Sequence, residues 1–143
     1  MMANDPPEIL FLCVHNAGRS QIAAAFAREM GGDHIAVHSA GSDPSEDLNP
    51  AVVDAMKEVG LDISRELPKR LTEEMGLRAD VIVTMGCGDA CPVYFGKRYE
   101  DWELEDPRGK DLNTVRRIRD EIRDRVRALV SELTETEDGA TNR

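Results

Sequence analysis

The sequence predicts an α/β domain of three layers, a parallel sheet with helices on both faces. Two observations carry this. Apolar runs at residues 8–14 and 79–85 are too continuous for strands that wet one side, which is the habit of a parallel strand buried on both faces. Helical patterns alternate with them in the order βαβα, with β returning twice, which calls for parallel pairing and right-handed crossovers.

Taking the elements in turn, Pro6 and Pro7 precede the first strand, Glu8 to Val14 (EILFLCV). A Gly-containing loop, HNAGRS, follows. Ser20 to Met30 then sets Ile22, Ala23, Phe26, Ala27 and Met30 at helical spacing, and Gly31-Gly32 ends the pattern. HIAVHSAG (His34 to Gly41) reads as a second short strand, so His34 and His38 are expected to be ordinary strand residues. After the turn-rich DPSEDLNP, Asn49-Pro50 opens a helix with Pro at its first position. Val52, Val53, Met56 and Val59 are predicted to line its inner face, with Gly60 as the stop. ADVIVTM (Ala79 to Met85) is the third strand, a short strand is expected around Trp102, and EDPRGKD makes a loop. From Leu112 on, Val115, Ile118, Ile122, Val126, Leu129, Val130 and Leu133 step by three and four, which predicts a long amphipathic helix with a solvated, ion-paired outer face. Residues 8–133 are read as one domain, and 1–7 and 134–143 as flexible termini.

Composition narrows the functional classes. A chain of 143 residues with net charge −10 is a poor ligand for nucleic acid or an anionic membrane. It holds no apolar run of the ~18 residues that a membrane span needs. The N-terminus MMANDPPEIL lacks the basic and apolar regions of a signal peptide, so a soluble, cytoplasmic protein is expected. In that compartment three cysteines point to catalysis, redox chemistry or metal binding more than to a disulfide framework.

One of them opens the loop after the first strand. In LCVHNAGRSQIA, Cys13 is followed by five residues and then Arg19-Ser20. A strand-to-helix loop presents unpaired backbone N–H groups, and the helix macrodipole adds positive potential. An oxyanion therefore fits at residues Val14, His15, Asn16, Ala17, Gly18 and Arg19 without a basic protein surface. Gly18 is expected to allow backbone conformations that a Cβ would forbid, and Asn16 to tolerate left-handed geometry and hold the loop shut. Arg19 supplies a planar fork for two oxygens of a tetrahedral anion. A thiol at Cys13 sits in the same field, which suits a thiolate nucleophile, and Ser20 is placed to donate a hydrogen bond to it. The His15 imidazole is read as loop-shaping or solvent-facing. Asp106, in EDPRG after the fourth strand, is the candidate acid that protonates the departing oxygen, with Glu105 and Asp101 as solvated alternatives. All of these fall at the carboxyl ends of strands, where parallel sheets bind ligands.

CVHNAGRS with a distal DP resembles the low-molecular-weight protein tyrosine phosphatase family. SAG (Ser39 to Gly41), AMKEVGLDIS (Ala55 to Ser64) and EDPRGK make the chain most similar to its arsenate reductase branch. The resemblance spans Ile9 to Leu133 and implies a four-stranded parallel sheet, Cys13 as nucleophile, Arg19 and the loop amides as oxyanion binders, and Asp106 as acid. It also implies roles for Cys87 and Cys91, in MGCGDACP, as the thiols that carry electrons to arsenate and pass the resulting disulfide on. Gly86 and Gly88 suit a segment that moves.

Phosphatases of this family usually carry aromatic residues after DP; here Arg108-Gly109 follow, which favours a small inorganic anion over an aryl ester. Phosphate or sulfate would compete with arsenate. No bound cofactor is implied, and electrons are expected from thioredoxin. Only Gly88, Asp89 and Ala90 separate the two redox cysteines, a shorter interval than in the thioredoxin-linked members. The alternative donor is a small thiol, mycothiol or glutathione, acting in place of Cys87. A phosphotyrosine phosphatase and a non-enzymatic arsenite-binding protein are the other readings. Some reductases hold potassium through an acidic residue on the first helix; the matching position is Ala24, so no metal site is carried over.

Overall fold

The first strand, β1 (Glu8–Cys13), runs inside the sheet, with β2 (Ala36–Gly41) on one side and β3 (Val81–Thr84) on the other. β4 (Arg98–Asp101) pairs with β3 at the edge, giving the order β2-β1-β3-β4, and all three pairings are parallel. The computed structural model describes residues 5–86 and 92–142, with side chains through residue 134. The chain steps from β1 to β2 in one direction and then returns across β1 to β3. That reversal leaves a crevice at the carboxyl end of β1, where Cys13 sits opposite Gly41.

Alternation along the strands divides the core in two. Ile9, Phe11, Cys13, Val81 and Val83 face α1 (Arg19–Gly31), α2 (Pro50–Glu58) and α4 (Leu112–Asn142), packing with Ile22, Phe26, Met56, Ile118 and Ile122. Leu10, Leu12, Ala40 and Ile82 point the other way, onto Leu71, Met75, Tyr94 and Tyr99, with α3 (Glu73–Arg78) on that side. Both faces of the central strands are thereby dry, as their unbroken apolar runs require.

Four details differ from the sequence reading. α3 was not foreseen: its six residues are too few for a helical period to show, and its start is marked only by Thr72, whose hydroxyl accepts from the Met75 amide at 3.2 Å. His34 lies in a 3₁₀ turn (Gly32–His34) before β2 begins. Val59 is 40% exposed because α2 stops at Glu58 and the chain turns out of the helical path there. The backbone of α4 continues to Asn142, past the end predicted at Leu133, since each residue added to a formed helix gains a hydrogen bond without a new nucleation cost. β4 ends just before Trp102, whose buried indole lies tilted against Phe11 at 6.0 Å.

α2 and α4 are tied at the surface through Glu58, which accepts from Arg116 Nη2 at 2.6 Å and from Arg119 Nη1 at 3.0 Å. The Arg116 hydrogen bond is the largest cause holding the Glu58 carboxyl down at about 2, below its ordinary 4.5. Because the folded value is depressed, this contribution to stability is present above about pH 4.5 and is lost as pH falls toward about 2. Acid unfolding should therefore be shallower across that window in Glu58→Gln than in the wild type, as read from urea midpoints at each pH.

Candidate active site

Cys13 closes β1 buried, and residues 14–18 wrap around its sulfur before α1 begins at Arg19. The loop is held from outside by its carbonyls. Those of Cys13, Val14, His15 and Ala17 accept from the amides of Ser42, Asp43, Ser45 and Asn49 at 2.8 to 3.2 Å. Peptide planes turned this way direct their N–H edges inward, and the Asn16 amide reaches Cys13 Sγ at 3.2 Å. Ser20 Oγ lies 2.9 Å from the same sulfur. Asn16 Nδ2 donates to Ser20 Oγ at 2.7 Å, which leaves the hydroxyl's own hydrogen for the sulfur. Both groups are placed to hydrogen-bond to Cys13 Sγ.

Asn16 is the centre of this loop. It is fully buried and takes a left-handed backbone (φ 51°), the geometry an Asn accepts more readily than most side chains. Its Oδ1 accepts from the Lys69 amide at 2.8 Å and from Gln21 Nε2 at 3.1 Å, and Gln21 Nε2 also reaches the Asn16 carbonyl at 3.1 Å. Gln21 and Lys69 were not singled out from sequence. Gln21 is a polar residue with no local signal of its inward turn, and Lys69 lies fifty-three positions from Asn16. Gly18 takes φ −141° and ψ −90°, outside the regions most residues adopt, and space constrains it as well: a Cβ there would come within 2.9 Å of Pro107 Cγ.

Arg19, largely buried, extends along the cleft floor. Its Nη1 donates to the Leu104 carbonyl at 3.3 Å and its Nη2 lies 3.6 Å from Asp106 Oδ2. The guanidinium also rests against Gly86 (φ 98°), where a Cβ would fall 2.2 Å from Nη1. Asp106 Oδ1 accepts from the Arg108 amide at 3.0 Å, so one carboxyl oxygen is turned toward its own loop and the other toward Arg19. Of the alternatives, Glu105 pairs with Arg117 and Lys110, and the Arg117 hydrogen bond holds its carboxyl below the ordinary value, which disfavours it as a proton donor. Asp101 accepts from Thr84 Oγ1 at 2.8 Å. Neither lines the cleft. Cys13, Arg19 and Asp106 do, together with His15, Ala17, Gly18, Asn49 and Arg108, around a volume of about 290 Å³. That space admits a tetrahedral oxyanion with room beside it. Cys87 and Cys91 lie outside the described residues.

Three relatives bear on the chemistry. A glutaredoxin arsenate reductase of Synechocystis is 34% identical over 130 residues, covering 89% of this chain and 98% of its own. The thioredoxin-dependent arsenate reductase of Corynebacterium glutamicum superposes with a TM-score of 0.83 at 43% identity, covering 94% of this chain; this chain spans 65% of that one. A further solved structure, an arsenate reductase in the phosphate binding state, gives a TM-score of 0.78 at 33% identity over 89% of this chain and 98% of its own. The model of the low molecular weight phosphotyrosine protein phosphatase family matches residues 8–138. With Cys13, the loop wrapped on its sulfur, Arg19 and Asp106 gathered on one cleft, the chain belongs to that family.

Proposed function

We propose that this protein is an arsenate reductase that uses three thiols in sequence and draws its electrons from thioredoxin. The observation that carries the reading beyond the family is the position of Gly86. The Arg19 guanidinium lies against it, and Cys87 is the next residue in the sequence. Hydrolysis of a phosphate ester needs no second thiol, whereas reduction does. The relatives named as arsenate reductases support the same substrate.

In the first step the Cys13 thiolate attacks arsenic, an As–S bond forms, and the displaced oxygen leaves as water with a proton from Asp106. Arg19 and the loop amides hold the remaining oxygens, so positioning and charge stabilisation come from the same loop. In the second step the Cys87 thiolate attacks Cys13 Sγ. A disulfide forms, the As–S electron pair stays on arsenic, and arsenite leaves reduced by two electrons. Cys91 then attacks Cys87, freeing the Cys13 thiolate and leaving a Cys87–Cys91 disulfide. A dithiol protein of the thioredoxin type reduces that disulfide.

One relative is named for glutaredoxin, which keeps a glutathione-linked donor in view. One experiment tests both routes. Arsenate without reductant should lower the intact mass by about two units, the hydrogens lost when a dithiol becomes a disulfide, and peptide mapping should place the bond between Cys87 and Cys91. With thioredoxin, its reductase and NADPH, Cys87→Ser and Cys91→Ser should release no arsenite beyond a single turnover. Full turnover in either variant sinks the intramolecular cascade. Rapid hydrolysis of aryl phosphate with no arsenite from any thiol system makes the protein a phosphatase.

A further inference from the structure

We infer that Arg108 is a second oxyanion-binding residue, presented over the cleft by His15; the inference deepens the proposed activity and rests on it for the identity of the substrate. Arg108 Nη1 lies 3.2 Å from His15 Nε2. A guanidinium has only donors, so Nε2 is the acceptor and the ring carries its proton on Nδ1. The opposite side of the ring requires the same tautomer, because Nδ1 lies 3.0 Å from the Asp43 carbonyl, which only accepts. Two independent partners thus fix one orientation of His15, and through it the reach of Arg108.

The chain of contacts runs from the β2 side of the site to the acid loop. Asp43 also donates its amide to the Val14 carbonyl at 2.8 Å, so the residue that orients His15 also shapes the anion loop. Arg108 in turn donates its amide to Asp106 Oδ1. His15, Arg108, Cys13 and Arg19 line the same cleft. Only Nη1 of Arg108 is engaged by His15, which leaves the rest of the fork for an anion held from below by Arg19. His15 does not touch the reacting atoms; it is a positioning residue.

The test uses the full chain and two readouts. Inorganic phosphate protects Cys13 from iodoacetamide, quantified on the Cys13 peptide, which measures anion binding without any turnover. Arsenate KM and kcat are measured with the thioredoxin system. Arg108→Met should weaken phosphate protection about tenfold and raise the arsenate KM about tenfold, with kcat lowered no more than about twofold. His15→Leu should match it in both readouts, His15→Gln should restore most of the loss by keeping an acceptor for Arg108, and the double variant should be no worse than Arg108→Met alone. Unchanged protection in Arg108→Met overturns the anion role. A His15→Gln as impaired as His15→Leu overturns the positioning role. If wild type fails to reduce arsenate while protection still responds to Arg108, the proposed activity falls and the anion site stands.

Discussion

Asn16→Ala is expected to cost about 3–5 kcal/mol of folding stability, the sum of stranded buried partners and left-handed strain that Ala tolerates less well. Asn16 Oδ1 is the acceptor for the Lys69 amide and one of the acceptors for Gln21 Nε2, and its Nδ2 donates to Ser20. Asn16, Ser20 and Gln21 are all buried, so water does not readily replace the lost contacts at Ser20 and Gln21, while Lys69 is half-buried. Urea unfolding gives the stability change. The same variant should react more slowly at Cys13, because Ser20 loses the donor that leaves its own hydrogen for the sulfur. Rapid-quench alkylation of Cys13 at neutral pH measures this. Asn16→Asp, which keeps the Oδ1 acceptor but replaces the Nδ2 donor with another acceptor, should retain part of the stability and still lose reactivity at the sulfur. Equal reactivity in wild type, Ala and Asp variants would show that Ser20 does not need Asn16 to face Cys13.

Arg19→Lys should slow the first displacement by about 10²–10³-fold, the range found when one donor to a developing oxyanion is removed. The charge is retained, yet an ammonium cannot present two parallel donors to two oxygens. The geometry sharpens this expectation. Arg19 is held flat by the Leu104 carbonyl, by Asp106 and by the bare face of Gly86, and a lysine side chain would meet none of them in the same plane. In a Cys91→Ser background without reductant the cascade stops at the Cys13–Cys87 disulfide, so the rate at which the free Cys13 thiol is lost in a single turnover follows the displacement without the final exchange. A fall below about threefold would place the oxyanion binding in the loop amides instead.

These two residues show how unevenly the site can be read from sequence. Arg19 was legible because a thiol, a short loop and an arginine have a joint meaning at the end of a buried strand. Asn16 was legible in part: its left-handed backbone and loop-holding role follow from residue type, but its partners do not. Lys69 reaches it from a different segment, and Gln21 turns inward where the apolar pattern of α1 leaves no sign of it. The sequence marks His15 only as loop-shaping or solvent-facing, and Arg108 only as a residue without an aromatic ring. Their contact joins positions ninety-three residues apart, which no local pattern encodes. Gly18 is legible for its backbone, but the approach of Pro107 that also forbids a Cβ there comes from a segment far along the chain.

The sequence by itself determined the α/β class, the strands buried on both faces, and the nucleophile with its anion loop, because these rest on periodicity and on residues close together in the chain. It also supplied Cys87 and Cys91 as the chemical argument for reduction. Only the tertiary structure decided which acid faces Arg19, which glycine makes room for which neighbour, and which histidine orients which arginine. Those are contacts between chain segments brought together by the return of β3 beside β1, and side-chain choice there is governed by fit in three dimensions.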